Sequence, residues 1–141
     1  MKKIVIKQLS IFIENKFGEL GSAVSVLKEN RISIKSIMLA DSSEFAILRV
    51  ITSNQRKAKA VLENAGYMVK ISEVFGIKIK NTIGSFLEVI NILATKKIEI
   101  RYTYTVNEED EGIFIIKTKE DSLKEAQKLL LENGVELLSS I

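Results

Sequence analysis

The chain contains no cysteine and no histidine in its 141 residues. That removes thiol nucleophiles, disulfides, thiolate–imidazole metal sites and imidazole acid–base chemistry together. It also contains no proline, which, beside abundant Ile, Lys and Asn, reads as compositional bias. No apolar run approaches the roughly 18 residues a membrane-spanning helix needs. The N-terminal stretch MKKIVIKQLSIFIEN starts like a secretory leader, but Lys7, Gln8 and Ser10 interrupt it and no small-residue cleavage site follows. A soluble, cytoplasmic protein with no membrane partner is the expectation. One sign of charge does not dominate either: 21 basic and 18 acidic residues are interspersed, for a net +3. That balance gives nucleic acid no strong electrostatic footing. With 46% hydrophobic residues the chain is globular, long enough for one ordinary domain or two very small ones.

What is present is a repeat. Sliding the chain by 66 positions brings Ile11, Ile13, Asn15, Gly18, Leu27, Ile32, Ile34, Ile47, Thr52 and Ala60 onto identical residues at 77, 79, 81, 84, 93, 98, 100, 113, 118 and 126. Two copies of this length imply a duplicated small domain, because a solenoid needs three or more repeats. The expected division is 1–72 and 73–141.

Each copy reads as β-α-β-β-α-β. In the first, Leu9, Ile11 and Ile13 alternate as a strand does, and Gly18 closes a turn. Leu20, Ala23, Val24 and Leu27 then keep helical spacing. A hairpin follows, with strands 32–41 and 45–52 joined at Ser42-Ser43-Glu44. Asn54 is placed to cap a second helix, carrying Ala58, Val61, Leu62 and Ala65, that Gly66 ends. The last strand is 67–71. The second copy begins without a linker at strand 74–80 and turns at Asn81. Ser85 and Glu88 read as a capping box for a helix with Phe86, Val89, Ile90 and Leu93 inward. Its hairpin has strands 98–106 and 113–118 around an acidic loop, 107–111, read as solvated and not metal-binding. Ser122 and Glu125 read as a second box, Gly134 as a cap, and 135–138 as the last strand. This is the ferredoxin-like unit, an α+β fold with both helices on one face of a four-stranded antiparallel sheet. On the opposite face Phe12, Phe45, Ile47, Ile51, Ile113 and Ile115 look too apolar for water, which marks an association surface and predicts a homodimer through the open sheet face.

Chemistry is expected where each first strand meets its first helix. Glycine there leaves backbone N–H groups open, and the helix start adds partial positive charge suited to a carboxylate or phosphate. Asn15 and Asn81 add amides ahead of each turn. A turn that binds nothing remains the alternative.

Asn15-Lys16-Phe17-Gly18-Glu19-Leu20 resembles the ligand loop of the ACT domain family, usually Asp/Asn-x-Pro-Gly-x-Leu. Asn81-Thr82-Ile83-Gly84-Ser85-Phe86 is a weaker second copy, with Phe86 in the place of Leu. Phe17 and Ile83 stand where that family has proline. The segments Ala40-Asp41-Ser42-Ser43-Glu44-Phe45 and Tyr102-Thr103-Tyr104 are similar to stretches of free-standing tandem ACT proteins. The resemblance implies two units side by side in one antiparallel eight-stranded sheet with helices on one face. It implies a non-catalytic, amino-acid-binding regulator of amino-acid metabolism, with no cofactor and with a metabolic enzyme as a possible partner. Candidate ligand residues are then Asn15, Lys16, Phe17, Gly18, Glu19, Leu20, Asp41, Ser42, Tyr102 and Tyr104, with Asn81, Ile83, Gly84 and Ser85 as the weaker loop. By alternation from Ile98 and Ile100, Tyr102 and Tyr104 are expected on the helix side, walling a pocket shared by the copies. Two other readings stand beside this one. The same fold serves RNA binding, although 45–50 offers a single aromatic for base stacking. A scaffold or regulatory subunit without a ligand is the other.

Overall fold

The computed structural model describes residues 2–14, 16–41, 45–108 and 111–141, the side chains of 107 and 108 excepted. The turn expected at Ser42-Ser43-Glu44 and part of the acidic loop lie outside the described residues, as does Asn15. The chain divides into two compact units, Lys7–Ser72, and Glu73–Ile141 together with the N-terminal residues up to Ile6.

The first unit holds β1 (Ile6–Glu14), α1 (Glu19–Glu29), β2 (Ile34–Asp41), β3 (Phe45–Thr52), α2 (Gln55–Asn64) and the opening half of β4 (Met68–Lys80). Its strand order is β2-β3-β1-β4, the ferredoxin-like arrangement. Leu9, Ile11 and Ile13 pair with Val50, Leu48 and Ala46. Directly paired residues share a sheet face, so this row meets Ala23, Leu27, Ala58 and Leu62 from the helices in one buried core. Leu20, expected inward, is instead exposed at the first turn of α1.

The second unit takes the rest of β4, α3 (Ile83–Ala94), β5 (Ile100–Glu108), β6 (Glu111–Thr118), α4 (Leu123–Glu132) and β7 (Glu136–Leu138), in strand order β5-β6-β4-β7. Phe75, Ile77, Phe114 and Ile116 form its core with Val89, Leu93, Ala126 and Leu130. Phe86 meets Phe114 edge-on at 4.8 Å. Ile90, expected inward, is exposed. The N-terminal segment is built into this unit. Val5 packs on its core, Ile4 N–H donates to Gln127 Oε1 at 2.8 Å, and Gln127 Nε2 donates to the Lys2 carbonyl at 2.7 Å. The Ile6 side chain occupies the space that a Cβ at Gly76 would need, which is why glycine sits in mid-strand there.

Seven strands are found among the described residues, not the eight expected. The strands expected at 67–71 and 74–80 are one strand, β4, because Ser72 and Glu73 stay extended and do not turn.

The four α-helices found among the described residues end alike. Ile32, Tyr67, Ile98 and Val135 donate their N–H to the carbonyls of Leu27, Leu62, Leu93 and Leu130, five residues back. The residue just before each donor takes a positive φ: Arg31, Gly66, Lys97 and Gly134. These are Schellman endings, two with glycine and two without. Helix starts differ from expectation. Asn54 caps α2 as predicted, accepting from Lys57 N–H at 3.0 Å. The cap of α3 is Thr82, not Ser85. Ser122 makes no side-chain cap bond, since a short 3-10 turn, Glu120–Ser122, already leads into α4.

Candidate functional site

The two strand-to-helix turns, alike in sequence, are built differently. In the first, Gly18 is the residue ahead of α1 and takes φ 84°, ψ −9°; having no side chain, it makes no cap bond of its own. Glu19 N–H reaches the Lys16 carbonyl at 3.3 Å, and the helical pattern starts with Ser22 N–H on the Gly18 carbonyl at 2.9 Å. The N–H groups of Leu20 and Gly21 therefore precede the first helical bond, as at any helix start. Phe17 is fully exposed.

In the second turn the helix begins at Ile83, the counterpart of Phe17, so the equivalent of the first loop is absorbed into α3. Thr82 Oγ1 accepts from Ser85 N–H at 3.2 Å and lies 2.8 Å from Ser85 Oγ. The chain's own hydroxyl thus satisfies an N–H at this helix start. Gly84 is an ordinary helical residue in the first turn. Thr82 is absent from the sequence-based set of site residues, because Ser85 with Glu88 offered the more familiar capping pattern. Thr82→Ala is expected to destabilise the protein by about 1 kcal/mol, the usual worth of a cap. Chemical denaturation would show this, and an unchanged midpoint would deny Thr82 that role.

Around the first turn the electrostatics are local. Lys16 Nζ and Glu14 Oε2 are 2.7 Å apart on the surface. The hydrogen bond from Lys16, and then its charge, hold the Glu14 carboxyl below its ordinary value, while Glu14 raises Lys16 by the same two causes. A carboxyl lowered this way favours the fold above the ordinary carboxylate range and loses that contribution as pH falls through its own value. Both side chains are exposed, so the effect on stability is slight.

Lys16, Phe17, Gly18, Glu19 and Leu20 form this one turn. Asp41 comes to the same end of the unit, since Ala46 pairs with Asp41 on one side and with Ile13 on the other. Two strand spacings, about 10 Å, separate Asp41 from Ile13. Asn15 and Ser42 lie outside the described residues. Asn81, Ile83, Gly84 and Ser85 make up the second turn.

Tyr102 and Tyr104 do not face the helices as expected. Ile100 pairs with Thr118, but Tyr102 pairs with Lys117 and Tyr104 with Ile115, because β5 carries a bulge at Arg101. One extra residue reverses the alternation. The tyrosines therefore share the face of Ile113 and Ile115. They are also distant from the second turn. Tyr104 shares its cross-strand row with Gly76, four residues short of Lys80 and so about 13 Å along the strand. The first unit has the same bulge at the equivalent residue, Lys35, between Ile34 and Ser36.

The sheet face away from the helices is not the open apolar surface the alternation suggested. Ile51, Ile113 and Ile115 are buried within the chain, as are Gln8 and Ser10, while Phe12 and Ile47 are half-buried and Phe45 is exposed. Phe12 and Phe45 lie with ring centroids 6.0 Å apart. Base-stacking modules need this face free, so the RNA-binding reading loses its platform. Among the described residues no cluster of carboxylates suited to a metal is found.

Two ferredoxin-like units in tandem, the first with a glycine turn between its first strand and first helix, define a class of paired ferredoxin-like folds. The chain belongs to the ACT domain pair family, whose model matches residues 4–140. Protein BT0572 from Bacteroides thetaiotaomicron is 32% identical, with 96% of this chain and 92% of that one covered at a TM-score of 0.89. The regulatory subunit of aspartate kinase from Thermus thermophilus shares the fold at 14% identity, with 89% and 91% covered and a TM-score of 0.62. That of Thermus flavus does so at 15% identity, with 89% and 90% covered and the same score. A sequence search of the curated proteins gives no match.

Proposed function

We propose that the chain is a non-catalytic regulatory protein that binds an amino acid at the first turn, residues 15–20, and signals this to a metabolic enzyme. One observation carries the reading: a left-handed glycine, which has no side chain to cap with, precedes α1, whereas Thr82 caps the corresponding helix start in the second turn. The N–H groups of a helix start suit the carboxylate common to all amino acids. Asp41, at the same end of the unit, suits the ammonium group. Membership of the ACT domain pair family and the fold shared with aspartate kinase regulatory subunits support the regulatory part. Among the described residues no constellation of reactive side chains competes with it, since without Cys or His catalysis would rest on carboxylates, lysine or tyrosine. A cytoplasmic location fits an effector drawn from metabolism.

A thermal-shift screen of the twenty amino acids tests this. A ligand at 100 times its dissociation constant adds about 2.7 kcal/mol, a melting shift of several degrees. At least one amino acid is expected to give it, with nucleotides and short RNAs inert. Silence from all twenty, at concentrations up to the millimolar range, would leave the ligand-free scaffold as the better reading.

A further inference from the structure

We infer that a hollow between the N-terminal segment and α4 is a binding site for a small amphipathic anion, a carboxylate carried on an apolar chain. The hollow holds about 390 Å³ and is lined by Lys3, Leu123, Lys124, Glu125, Gln127 and Lys128, all of the second unit. Ligand pockets commonly hold about 300–1,000 Å³. The lining is mostly apolar, since a lysine stem is hydrocarbon up to its ammonium group. Gln127 adds to this. It is 3% exposed, its amide oxygen accepts from Ile4 N–H, and its amide nitrogen donates to the Lys2 carbonyl, so each end already has a partner. That clamp also holds Lys3, which lies between the two contacts, and makes the N-terminal segment one wall. Counting back from the helix ends, α2 has Lys59 in the place of Gln127, and Lys59 pairs with Glu63 at 3.0 Å. Among the described residues the clamp therefore belongs to the second copy alone.

Charge selects the head of the ligand. Three lysines line the hollow against one acid, Glu125. Lys3 is already paired with Glu73 at 3.0 Å, and Lys128 lies 4.0 Å from Glu132. The exposed Lys124 side chain has no ion pair or hydrogen bond among the described residues. A carboxylate beside it gains a charge-assisted hydrogen bond while its chain covers apolar wall. An adjoining hollow of about 280 Å³ shows the contrast. It shares Lys3, Leu123 and Lys124 and adds Lys117, but Glu73, Glu120 and Asp121 stand against these three lysines and the charges balance. The excess of positive charge belongs to the first hollow, which therefore favours an anion over a zwitterion or a cation.

Octanoate is the probe, and octyltrimethylammonium carries the same chain with the opposite charge. Calorimetry is expected to give octanoate a dissociation constant of about a millimolar or lower, an ordinary strength for so few atoms. The cation should bind at least about tenfold more weakly. Lys124→Glu changes an exposed side chain, so it should fold, and it should weaken octanoate binding by at least about tenfold. Lys124→Arg should keep the affinity, as should Lys70→Glu at an exposed lysine of the first unit. In a nitrogen-15 NMR titration the amides of residues 2–5 and 123–128 should shift, and those of the first turn, 16–20, should not. That contrast separates this site from the amino-acid site proposed above, and either can fail without the other. Octanoate silent through the millimolar range, equal affinity for the cation, unchanged binding in Lys124→Glu, or shifts centred on the first turn would overturn the inference. Capture by phosphatidylglycerol vesicles with no binding of octanoate would overturn it as well, and would mark a surface for lipid headgroups.

Discussion

Gly18→Val is expected to abolish amino-acid binding measured by calorimetry, in a protein that still folds. A Cβ at Gly18 would meet no atom within 4 Å, so the damage comes through the backbone and not through a clash. At φ 84° a β-branched residue is a conformational outlier, costing about 1–3 kcal/mol if the turn is kept. The chain escapes that strain by reshaping the turn, which moves the N–H groups at the start of α1. Gly18→Asn separates the two effects, because asparagine tolerates the left-handed region and should keep most of the affinity. Gly84→Ala is expected to do the opposite of harm. Gly84 sits inside a helix with open space around it, where alanine is favoured by about 1 kcal/mol. Full affinity in folded Gly18→Val, with binding lost in Gly84→Ala, would move the site to the second turn.

Phe75→Ala carries the largest expected loss of stability, about 3–5 kcal/mol. The ring is fully buried in the core of the second unit, on the strand common to both units. Natural domains hold only about 5–15 kcal/mol in reserve, so the variant should unfold at markedly lower urea. Its dependence on denaturant should stay unchanged if the native state keeps its shape. A loss under 1 kcal/mol would mean that the second core closes over the deletion.

The repeat, the inward rows of β1 and β3 and most of the helix faces, Leu20 and Ile90 excepted, were legible because each rests on a period that many residues share. Glycine at 66 and 134 gave two helix ends directly. The matching ends at Arg31 and Lys97 were harder, since long polar side chains give no sign of a positive φ. The bulges at Lys35 and Arg101 left no mark either. Alternation is read by counting, and one unannounced extra residue carried Tyr102 and Tyr104 to the wrong face. Ser72-Glu73 failed in the other direction, read as the join between two strands where one strand, β4, runs through. At the first turn the residues were readable but the contrast between the two turns was not. Whether a glycine precedes a helix or lies inside it depends on where the helix starts, and Thr82 decides that in the second copy.

The chain's ancestry and its present partition no longer coincide. A duplicated gene begins as two interchangeable halves, each able to stand alone. Here a cut between Ser72 and Glu73 would sever β4 in mid-strand. It would also strip the second half of Val5 and of the backbone groups that Gln127 holds, which lie at the far end of the sequence. Neither product would be the domain that was once copied. Evolution can therefore tune the two copies apart, one starting its first helix behind a glycine and the other capping it with Thr82, but it can no longer lose or shuffle either of them singly.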